Sequence, residues 1–204
     1  MPQFDIRDPY EVKRLLRRRR LMGGDRFDEV WNGVYVMSPL ADPDHQELAT
    51  ALSGVLRLLK ERGPCSIFAG LNVSDRPTQW KKNFRCPDVA VYFPSNPAKR
   101  MKAHYVGGPD FAVEIASPYD RSREKFDFYA SVGVRELLIV DRNPWLLELF
   151  RADPGGFESV GTSDSAESAT ISSRVLDLTF RLVDSDPRPS IEVYEPTSGR
   201  IWLA

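Results

Sequence analysis

The sequence predicts an α/β domain whose sheet contains a parallel pair of strands, and three observations support this. The 204 residues are 42% hydrophobic and 28% charged, which is enough for one sizeable core. Apolar residues recur at helical spacing near the N-terminus and in strand-like runs between residues 66 and 141. A predicted helix separates two of these runs, 111–116 and 136–141, which indicates a βαβ crossover.

Three N-terminal elements precede the sheet. The segment Asp8–Arg20 is predicted as a helix that starts at Asp8-Pro9 and ends in the basic run Arg17–Arg20, which is either a solvated face or a phosphate contact. Asn32-Gly33 supplies the positive φ angles of a tight turn, so Glu29–Met37 is predicted as a hairpin. A second helix is predicted from Asp42 to about Arg62. Its buried stripe consists of Leu48, Leu52, Val55, Leu56 and Leu59.

The next segments form the predicted sheet. The helix between its last two strands covers roughly Asp120–Val132 and ends at Gly133. Leu137–Val140 is apolar on both faces, as expected of a covered central strand. The four predicted strands are Ser66–Val73, Asp88–Phe93, Phe111–Ala116 and Glu136–Asp141.

After Asp141 the pattern changes to short strands that extend or flank the sheet. We predict a mobile loop over Asp153–Thr170, because this segment is rich in Gly, Ser, Asp and Glu. Residues 1–204 are therefore predicted as one domain, with a core of about 26–150 and a β extension over 151–204. The strand candidates are Leu146–Arg151, Phe157–Val160, Val175–Val183, Ile191–Tyr194 and Arg200–Leu203.

The charge and cysteine content limit the possible functions. The formal net charge is −1, so a nucleic-acid surface would have to be a local patch. No apolar run has transmembrane length and the N-terminus has no apolar signal segment, so the expected compartment is the cytoplasm. Cys65 and Cys86 have no CxxC partner, and only His45 and His104 accompany them. A bound metal would therefore be a hard cation held by carboxylates.

Two carboxylates occupy unusual positions in the predicted strands. Asp88 shares one strand face with Ala90, and Glu114 lies between Ala112 and Ala116 on the other strand. A Glu in an apolar strand is costly without a partner, and a divalent cation would make both acids favourable. Pairing of Glu114 with Arg or Lys is the alternative.

Lys125 falls on the predicted inner face of the helix that follows Glu114. Phe128, Tyr129 and Val132 stand three, four and seven residues after it, so all four share one face. Lysine suits such a face when its ammonium meets negative charge, and from the first helical turn Lys125 can reach back towards Glu114. The alternative is an ammonium that extends past the aromatic rings to water.

Together these residues resemble the Uma family of restriction endonucleases, within the PD-(D/E)XK nuclease superfamily. The resemblance covers about residues 10–150 and depends on the order and spacing of several pieces. They are Arg26–Gly33, Met37-Ser38-Pro39, His45-Gln46, Cys86-Pro87-Asp88-Val89-Ala90-Val91, Val113–Pro118 and Lys125–Asp141.

The resemblance implies a restriction-endonuclease-like αβββαβ core with a mixed sheet and a divalent-cation site for Mg²⁺ or Mn²⁺. It assigns metal ligation to Asp88 and Glu114 and a further acidic catalytic role to Glu29. The superfamily pattern expects a lysine two residues after the second acid, where this chain has Ala116. Lys125 occupies the place of the lysine that the Uma pattern carries in the following helix, and it is the predicted catalytic lysine.

Basic and aromatic residues between the acids are candidates for nucleic-acid contact. Lys81, Lys82 and Arg85 accompany Trp80 and Phe84, and Lys99, Arg100 and Lys102 form a second cluster. Ordinary surface lysines at a hairpin tip are the alternative. His45 is expected either to contact phosphate or water near its helix N-terminus or to cap that helix.

The leading hypothesis is a Mg²⁺- or Mn²⁺-dependent endonuclease that acts on DNA, since such an ion both activates water and polarises phosphate. A second hypothesis, motivated by Ala116, is a catalytically inactive nucleic-acid-binding module. A third is an assembly role, possible alongside either, in which the strands Ile191–Tyr194 and Ile201–Leu203 are exposed and pair edge to edge between two subunits of a homodimer. No membrane partner is expected.

Overall fold

The computed structural model describes residues 8–38, 42–116 and 121–204, and its strands and helices are numbered here along the chain. The central sheet has six strands: β3 (Ser66–Ala69), β6 (Val89–Tyr92), β9 (Phe111–Ile115), β10 (Glu136–Arg142), β11 (Trp145–Asp153) and β12 (Gly156–Asp164). Their order across the sheet is β12-β11-β10-β9-β6-β3. Among the described strands of this sheet, only β9 and β10 pair in parallel, so the sheet is mixed.

Two helices complete the predicted αβββαβ core. Helix α2 (Pro43–Arg57) precedes β3 and continues as a 3₁₀ turn over Leu58–Glu61. Helix α3 (Phe126–Ser131) lies between the parallel strands β9 and β10, and a 3₁₀ turn over Ser122–Lys125 precedes it. The predicted βαβ crossover and the predicted αβββαβ order of the core elements are therefore confirmed.

The side chains of β10 show how the sheet is covered. Leu138 and Val140 pack with the leucines of α2 on one face, while Leu137 and Ile139 pack with Tyr129 of α3 on the other. All four residues of Leu137–Val140 are fully buried, as predicted for a central strand. The helices thus cover both faces and leave the carboxyl end of β9 beside the crossover.

The N-terminal elements also follow the prediction. Helix α1 (Pro9–Leu21) begins at Asp8, whose side chain accepts a hydrogen bond from the Tyr10 amide at 2.8 Å. Strands β1 (Glu29–Trp31) and β2 (Val34–Val36) form the hairpin, with positive φ at Asn32 and Gly33. Four short strands extend this hairpin into a second sheet: β4 (Val73–Ser74), β5 (Phe84–Arg85), β7 (Lys99–Arg100) and β8 (Tyr105–Val106). Its order is β2-β1-β5-β4-β8-β7.

The C-terminal strands form a third sheet that flanks the central one. Strands β13 (Ile171–Ser173), β14 (Leu178–Val183), β15 (Ser190–Glu195) and β16 (Arg200–Leu203) pair antiparallel in chain order. The Phe180 ring stacks on Phe111 of β9 with centroids 5.9 Å apart. The β extension therefore shares the apolar core on the α2 side of the central sheet.

Three details of the sequence prediction were wrong. The mobile loop predicted over Asp153–Thr170 contains β12, a polar edge strand that pairs with β11 along its length and includes the predicted strand Phe157–Val160. The strand predicted over Ser66–Val73 ends at Ala69, because Gly70 adopts a φ of +66° and Val73 then joins the second sheet. The run predicted from Val175 begins as a strand only at Leu178.

The predicted exposure of Ile191–Tyr194 was also wrong. Strand β15 lies between β14 and β16, and the side chains of Ile191 and Val193 are fully buried. Pro39, Ser117, Pro118 and the first residue of the helix predicted over 120–132 lie outside the described residues. Within the residues that are described, none of the helices is both long and apolar enough to cross a membrane.

Candidate active site

The strand register brings the two predicted metal ligands together. Strands β6 and β9 are antiparallel, with Val89 opposite Val113, so Asp88 at the start of β6 continues the register opposite Glu114. One Asp88 carboxylate oxygen accepts a hydrogen bond from the Ile115 amide at 2.7 Å. This contact fixes the Asp88 carboxylate against the backbone of β9, beside Glu114.

Glu114 is a buried acid with several partners. Its side chain is 4% exposed, and its Oε2 lies 2.8 Å from the Lys125 Nζ. The Tyr129 hydroxyl donates to Glu114 Oε1, and the Ser122 hydroxyl lies 3.5 Å from Oε2. Burial raises the pKa of Glu114 to about 8; Asp88 and Glu29 act in the same direction and Lys125 opposes them. The negative charge at this site is therefore only partly compensated.

Lys125 joins two carboxylates from different sheets. Its ammonium lies 2.8 Å from Glu114 of β9 and 3.1 Å from Glu29 of β1, and its side chain is 11% exposed. Burial alone lowers the pKa of Lys125, but Glu114 and Glu29 outweigh burial and raise that pKa above its usual range. The lysine is held as a cation between two acids. It belongs to the 3₁₀ turn before α3, whereas the sequence predicted the first turn of the helix itself.

Glu29 is fixed by three donors. Its Oε1 accepts from the Cys86 amide at 2.7 Å and faces Lys125, while its Oε2 accepts from the Trp31 indole at 2.5 Å. Because Cys86 lies two residues before Asp88, the same segment positions two of the three acids. Glu29 is 3% exposed, so its carboxylate is oriented inside the protein.

His45 lies in the first turn of α2 and contacts Asp88. Its Nε2 lies 3.3 Å from Asp88 Oδ1, and its amide donates to the side chain of Asp42, the predicted N-cap. Burial lowers the pKa of His45, but the Asp88 carboxylate more than offsets this, so that pKa lies above its usual value. Arg142 holds Asp42 with two hydrogen bonds of 2.8 and 2.9 Å. The helix cap and the His45–Asp88 contact are therefore linked.

The predicted nucleic-acid residues separate into two environments. Lys81 and Lys82 are exposed, but Arg85 is 3% exposed and points inward. Its guanidinium lies 4.8 Å from the Trp31 ring and 4.3 Å from the Phe128 ring, and it donates to the Val30 carbonyl at 3.0 Å. Burial lowers the pKa of Arg85. Direct contact of Arg85 with nucleic acid stays a prediction, and it would require access to this buried position.

Two contacts of this site were missed by sequence reasoning. Tyr129 was assigned only to helix packing, yet its hydroxyl contacts Glu114. Its position four residues after Lys125 was the available signal, because buried tyrosine hydroxyls need a partner. The indole of Trp31 holds Glu29. The sequence places these residues two apart on one strand face, and that spacing could have suggested the contact.

The donor set suits a hard divalent cation. The described residues include no ready-made cluster of three or more His, Cys, Asp and Glu ligands. Mg²⁺, however, commonly takes one or two carboxylates and completes its shell with water and phosphate. Asp88 stands opposite Glu114 on the neighbouring strand, so these two carboxylates could hold such a cation.

Comparison with known protein families identifies the family of this chain. Residues 16–183 match the model of Uma2, described as a putative restriction endonuclease. The chain belongs to the Uma2 family. This confirms the family expected from the motifs, and the match extends beyond the expected residues 10–150 into the C-terminal sheet. Membership of Uma2 supports a nuclease function.

A solved structure gives independent support for the fold. The chain is similar to the crystal structure of a putative nuclease belonging to DUF820 from Anabaena variabilis ATCC 29413. The TM-score is 0.60 at 16% sequence identity, over 73% of this chain and 82% of that chain. Among curated proteins, no match is found. The likeness shows that this Uma2 protein shares the fold of that structure.

Proposed function

We propose that this Uma2 protein is a divalent-cation-dependent endonuclease that hydrolyses phosphodiester bonds of DNA. The observation that carries the proposal is the pairing of Glu114 with Lys125 at 2.8 Å, with Asp88 opposite Glu114 on the neighbouring strand. Two acids beside a buried, protonated lysine suit phosphoryl hydrolysis better than they suit stability alone, because buried ion pairs add little net stability. The family match supports the same class of activity.

Asp88 and Glu114 would hold the cation, Mg²⁺ or Mn²⁺. When bound, such an ion lowers the pKa of a coordinated water and polarises a phosphoryl oxygen. The Ile115 amide and His45 orient the two oxygens of Asp88. The Tyr129 hydroxyl orients Glu114. These contacts reduce the reorganisation that the carboxylates need before the reaction.

Lys125 acts beside the two carboxylates. Its ammonium orients the attacking water or offsets negative charge that develops on the phosphate. Glu29 assists from the opposite side, because its 3.1 Å contact keeps Lys125 protonated and directed into the site. In this proposal Lys125 and Glu114 are catalytic residues, and Glu29 acts through Lys125.

Plasmid cleavage tests the proposal. Supercoiled DNA is incubated with the protein and Mg²⁺ or Mn²⁺, with and without a chelator. We expect nicking or linearisation only with cation, and a loss of at least about 10²-fold in rate for Asp88→Asn and for Glu114→Gln. The matched control is Glu167→Gln, which removes an exposed carboxylate from a C-terminal turn. Activity that survives both site substitutions contradicts the assignment.

A catalytically inactive nucleic-acid-binding module is the second candidate, and Ala116 is the observation that favours it. Ala116 is 4% exposed and packs against the aromatic side of α3, so the usual lysine position is filled by core packing. The contact of Lys125 with Glu114 favours the nuclease instead. Calorimetric titration with Mn²⁺ separates the two, because binding that is lost in Glu114→Gln argues against an inactive site.

We also propose that β16 mediates a homodimer. It is the edge strand of the C-terminal sheet, and the side chains of Ile201 and Leu203 are 56% and 62% exposed. An edge strand with exposed apolar side chains can pair with a copy of itself about a two-fold axis. The strand Ile191–Tyr194, predicted to share this role, is internal and keeps only its pairing within the sheet.

A further inference from the structure

Two basic segments that are separate in the sequence touch in the structure. The 3₁₀ turn Trp80–Lys82 precedes β5, and the turn 101–104 joins β7 to β8. The Trp80 indole stacks on the His104 imidazole with centroids 4.7 Å apart and an angle of 16° between the planes. The stack brings Lys81 and Lys82 beside the β7–β8 hairpin.

Five exposed cations on the turn 80–82 and on the β7–β8 hairpin form one basic patch. Within the described ranges, none of these five side chains forms an ion pair with a carboxylate. The Lys81 ammonium instead lies 5.7 Å from the centre of the Trp80 ring. The nearby Arg76, by contrast, is paired with Asp75 at 2.6 Å. Unpaired cations that lie together create a local positive field, even on a protein of net charge −1. The basic patch consists of Lys81, Lys82, Lys99, Arg100 and Lys102.

The stacking of Trp80 on His104 holds the two segments together. Trp80 contacts three side chains at once, those of His104, Phe84 and Lys81. A ring engaged in this way is not an open platform for an unstacked base, which is what single-stranded nucleic acid requires. His104 is 4% exposed, and neither ring nitrogen has a hydrogen-bond partner among the described residues.

The basic patch lies on the same sheet as part of the candidate active site. The Gly33 amide at the β1–β2 turn donates to the Lys82 carbonyl at 2.8 Å, and β1 also carries Glu29. Four strand steps separate β1 from β7, which is about 19 Å at a spacing of about 4.8 Å per strand. A DNA duplex carries about one charge per 1.7 Å of its axis, so a bound duplex presents many phosphates over this span.

We infer that the basic patch binds the phosphate backbone of double-stranded DNA on one side of the cleavage site. The inference rests on the proposed nuclease function and names the form of its substrate. Lysine and arginine contacts to phosphate position a duplex without selecting its sequence. Binding through the patch is therefore independent of sequence and weakens steeply as salt concentration rises.

Fluorescence anisotropy with a labelled duplex of arbitrary sequence tests the inference. All proteins carry Asp88→Asn, so that cleavage does not interfere with binding. The test variant combines Lys99→Ala, Arg100→Ala and Lys102→Ala. We expect the slope of log affinity against log salt to fall by about 2.7, from about 0.9 per phosphate contact, and affinity at 50 mM salt to fall about tenfold or more.

The matched control removes the same charge elsewhere. Arg57→Ala, Lys60→Ala and Arg174→Ala also remove three exposed cations, and Arg57 and Lys60 belong to the α2 segment on the opposite face of the central sheet. We expect this control to keep the slope of the Asp88→Asn parent. An equal change in both triple variants, or a change seen only with a single-stranded oligonucleotide, overturns the inference.

Failure of the inference is distinguishable from failure of the proposed function. If the wild-type protein does not cleave with cation but the patch variant lowers the salt slope, the basic patch stands and the nuclease proposal fails. If the wild-type protein cleaves and the patch variant keeps the parental slope, the nuclease stands and the patch is wrong. Thermal unfolding of each triple variant confirms that both remain folded.

Discussion

Lys125 is a buried cation whose position depends on two acids. Its ammonium contacts Glu29 at 3.1 Å and Glu114 at 2.8 Å, and these contacts keep its pKa above the usual range despite burial. The desolvation cost of such a group is large and is compensated only while the partners are present. Glu114 and Glu29 therefore keep Lys125 in its charged form.

Replacing Lys125 by Met tests this dependence. The side-chain volume is similar, but Glu29 and Glu114 lose their shared cation. We expect the free energy of unfolding at pH 7 to fall by about 3–5 kcal/mol, as for other broken buried pairs. Urea denaturation measures it. Lys102→Met, at an exposed position, is the control and should change stability by less than about 0.5 kcal/mol. Equal losses in the two variants would show that the pair has no structural role.

Asp42 gives a pH dependence of known sign. Hydrogen bonds from Arg142 and then from the His45 amide lower its pKa from 3.8 to about 2. A lowered folded-state pKa adds stability above pH 3.8, and this stability is lost as pH falls towards 2. Asp42→Asn keeps a capping side chain but has no titrating group. Urea denaturation measures the free energy of unfolding of both proteins. We expect the wild-type protein to exceed Asp42→Asn by an amount that is constant above about pH 5 and smaller at pH 3. A difference in free energy of unfolding that grows as pH falls contradicts the lowered pKa of Asp42.

The sequence predicted the acids of the site better than their partners. Strand alternation placed Asp88 and Glu114 on one face, because side chains of a strand alternate with period two. Glu29 came only from the family resemblance, since its strand belongs to another sheet. The inward direction of Arg85 was not predictable, because it depends on where Trp31 and Phe128 pack.

The backbone conformation favours glycine at Gly33 in the β1–β2 turn but not at Gly54 in helix α2. Gly33 has a φ of +89°, while Gly54 lies inside α2 without a positive φ, and a Cβ on either residue would meet no atom within 4 Å. Steric clashes with neighbours are therefore not an issue at either position. Only backbone conformation distinguishes the two glycines.

Alanine substitutions should therefore act in opposite directions. We expect Gly33→Ala to lower the free energy of unfolding by about 1–2 kcal/mol, because an L-residue is strained at positive φ. We expect Gly54→Ala to raise it by about 0.5–1 kcal/mol, because alanine is the better helix former. Thermal and urea unfolding measure both values. Stabilisation by both substitutions would mean that the turn tolerates a different backbone conformation.

Elements with strong local signals were predictable and elements defined by pairing were not. Helix α2 has an N-cap and a leucine stripe, and its observed start agrees with the prediction. Strand β12 has few apolar residues, so only Phe157–Val160 was predicted as a strand, and its hydrogen bonds to β11 define its full length. The short strands of the second sheet likewise depend on partners that lie far apart in sequence.

At the scale of the whole molecule, β16 leaves an apolar edge beside the C-terminal sheet. Strands β15 and β16 pair over four residues, so one side of β16 keeps backbone groups without a sheet partner among the described strands. Pairing with a second copy would satisfy these groups and cover Ile201 and Leu203. The proposed dimer thus follows from the end of a sheet rather than from the active site.

Light scattering across a concentration series tests the dimer. We expect the wild-type protein to reach twice the mass of the chain, and the double variant Ile201→Lys, Leu203→Lys to remain a monomer because four charges would meet at the interface. The control is Val160→Lys on the edge strand β12, which is 36% exposed and should leave the mass unchanged. A wild-type monomer at high concentration refutes the dimer.

The origin of the four site residues has a consequence for the synthesis of the protein. Glu29 comes from one sheet, Asp88 and Glu114 from another, and Lys125 from the crossover between β9 and β10. A ribosome must therefore translate past residue 125, and the two sheets must dock, before these groups meet. A shorter nascent chain carries only isolated side chains. If these groups form the proposed hydrolytic centre, that centre stays inactive until the protein has folded.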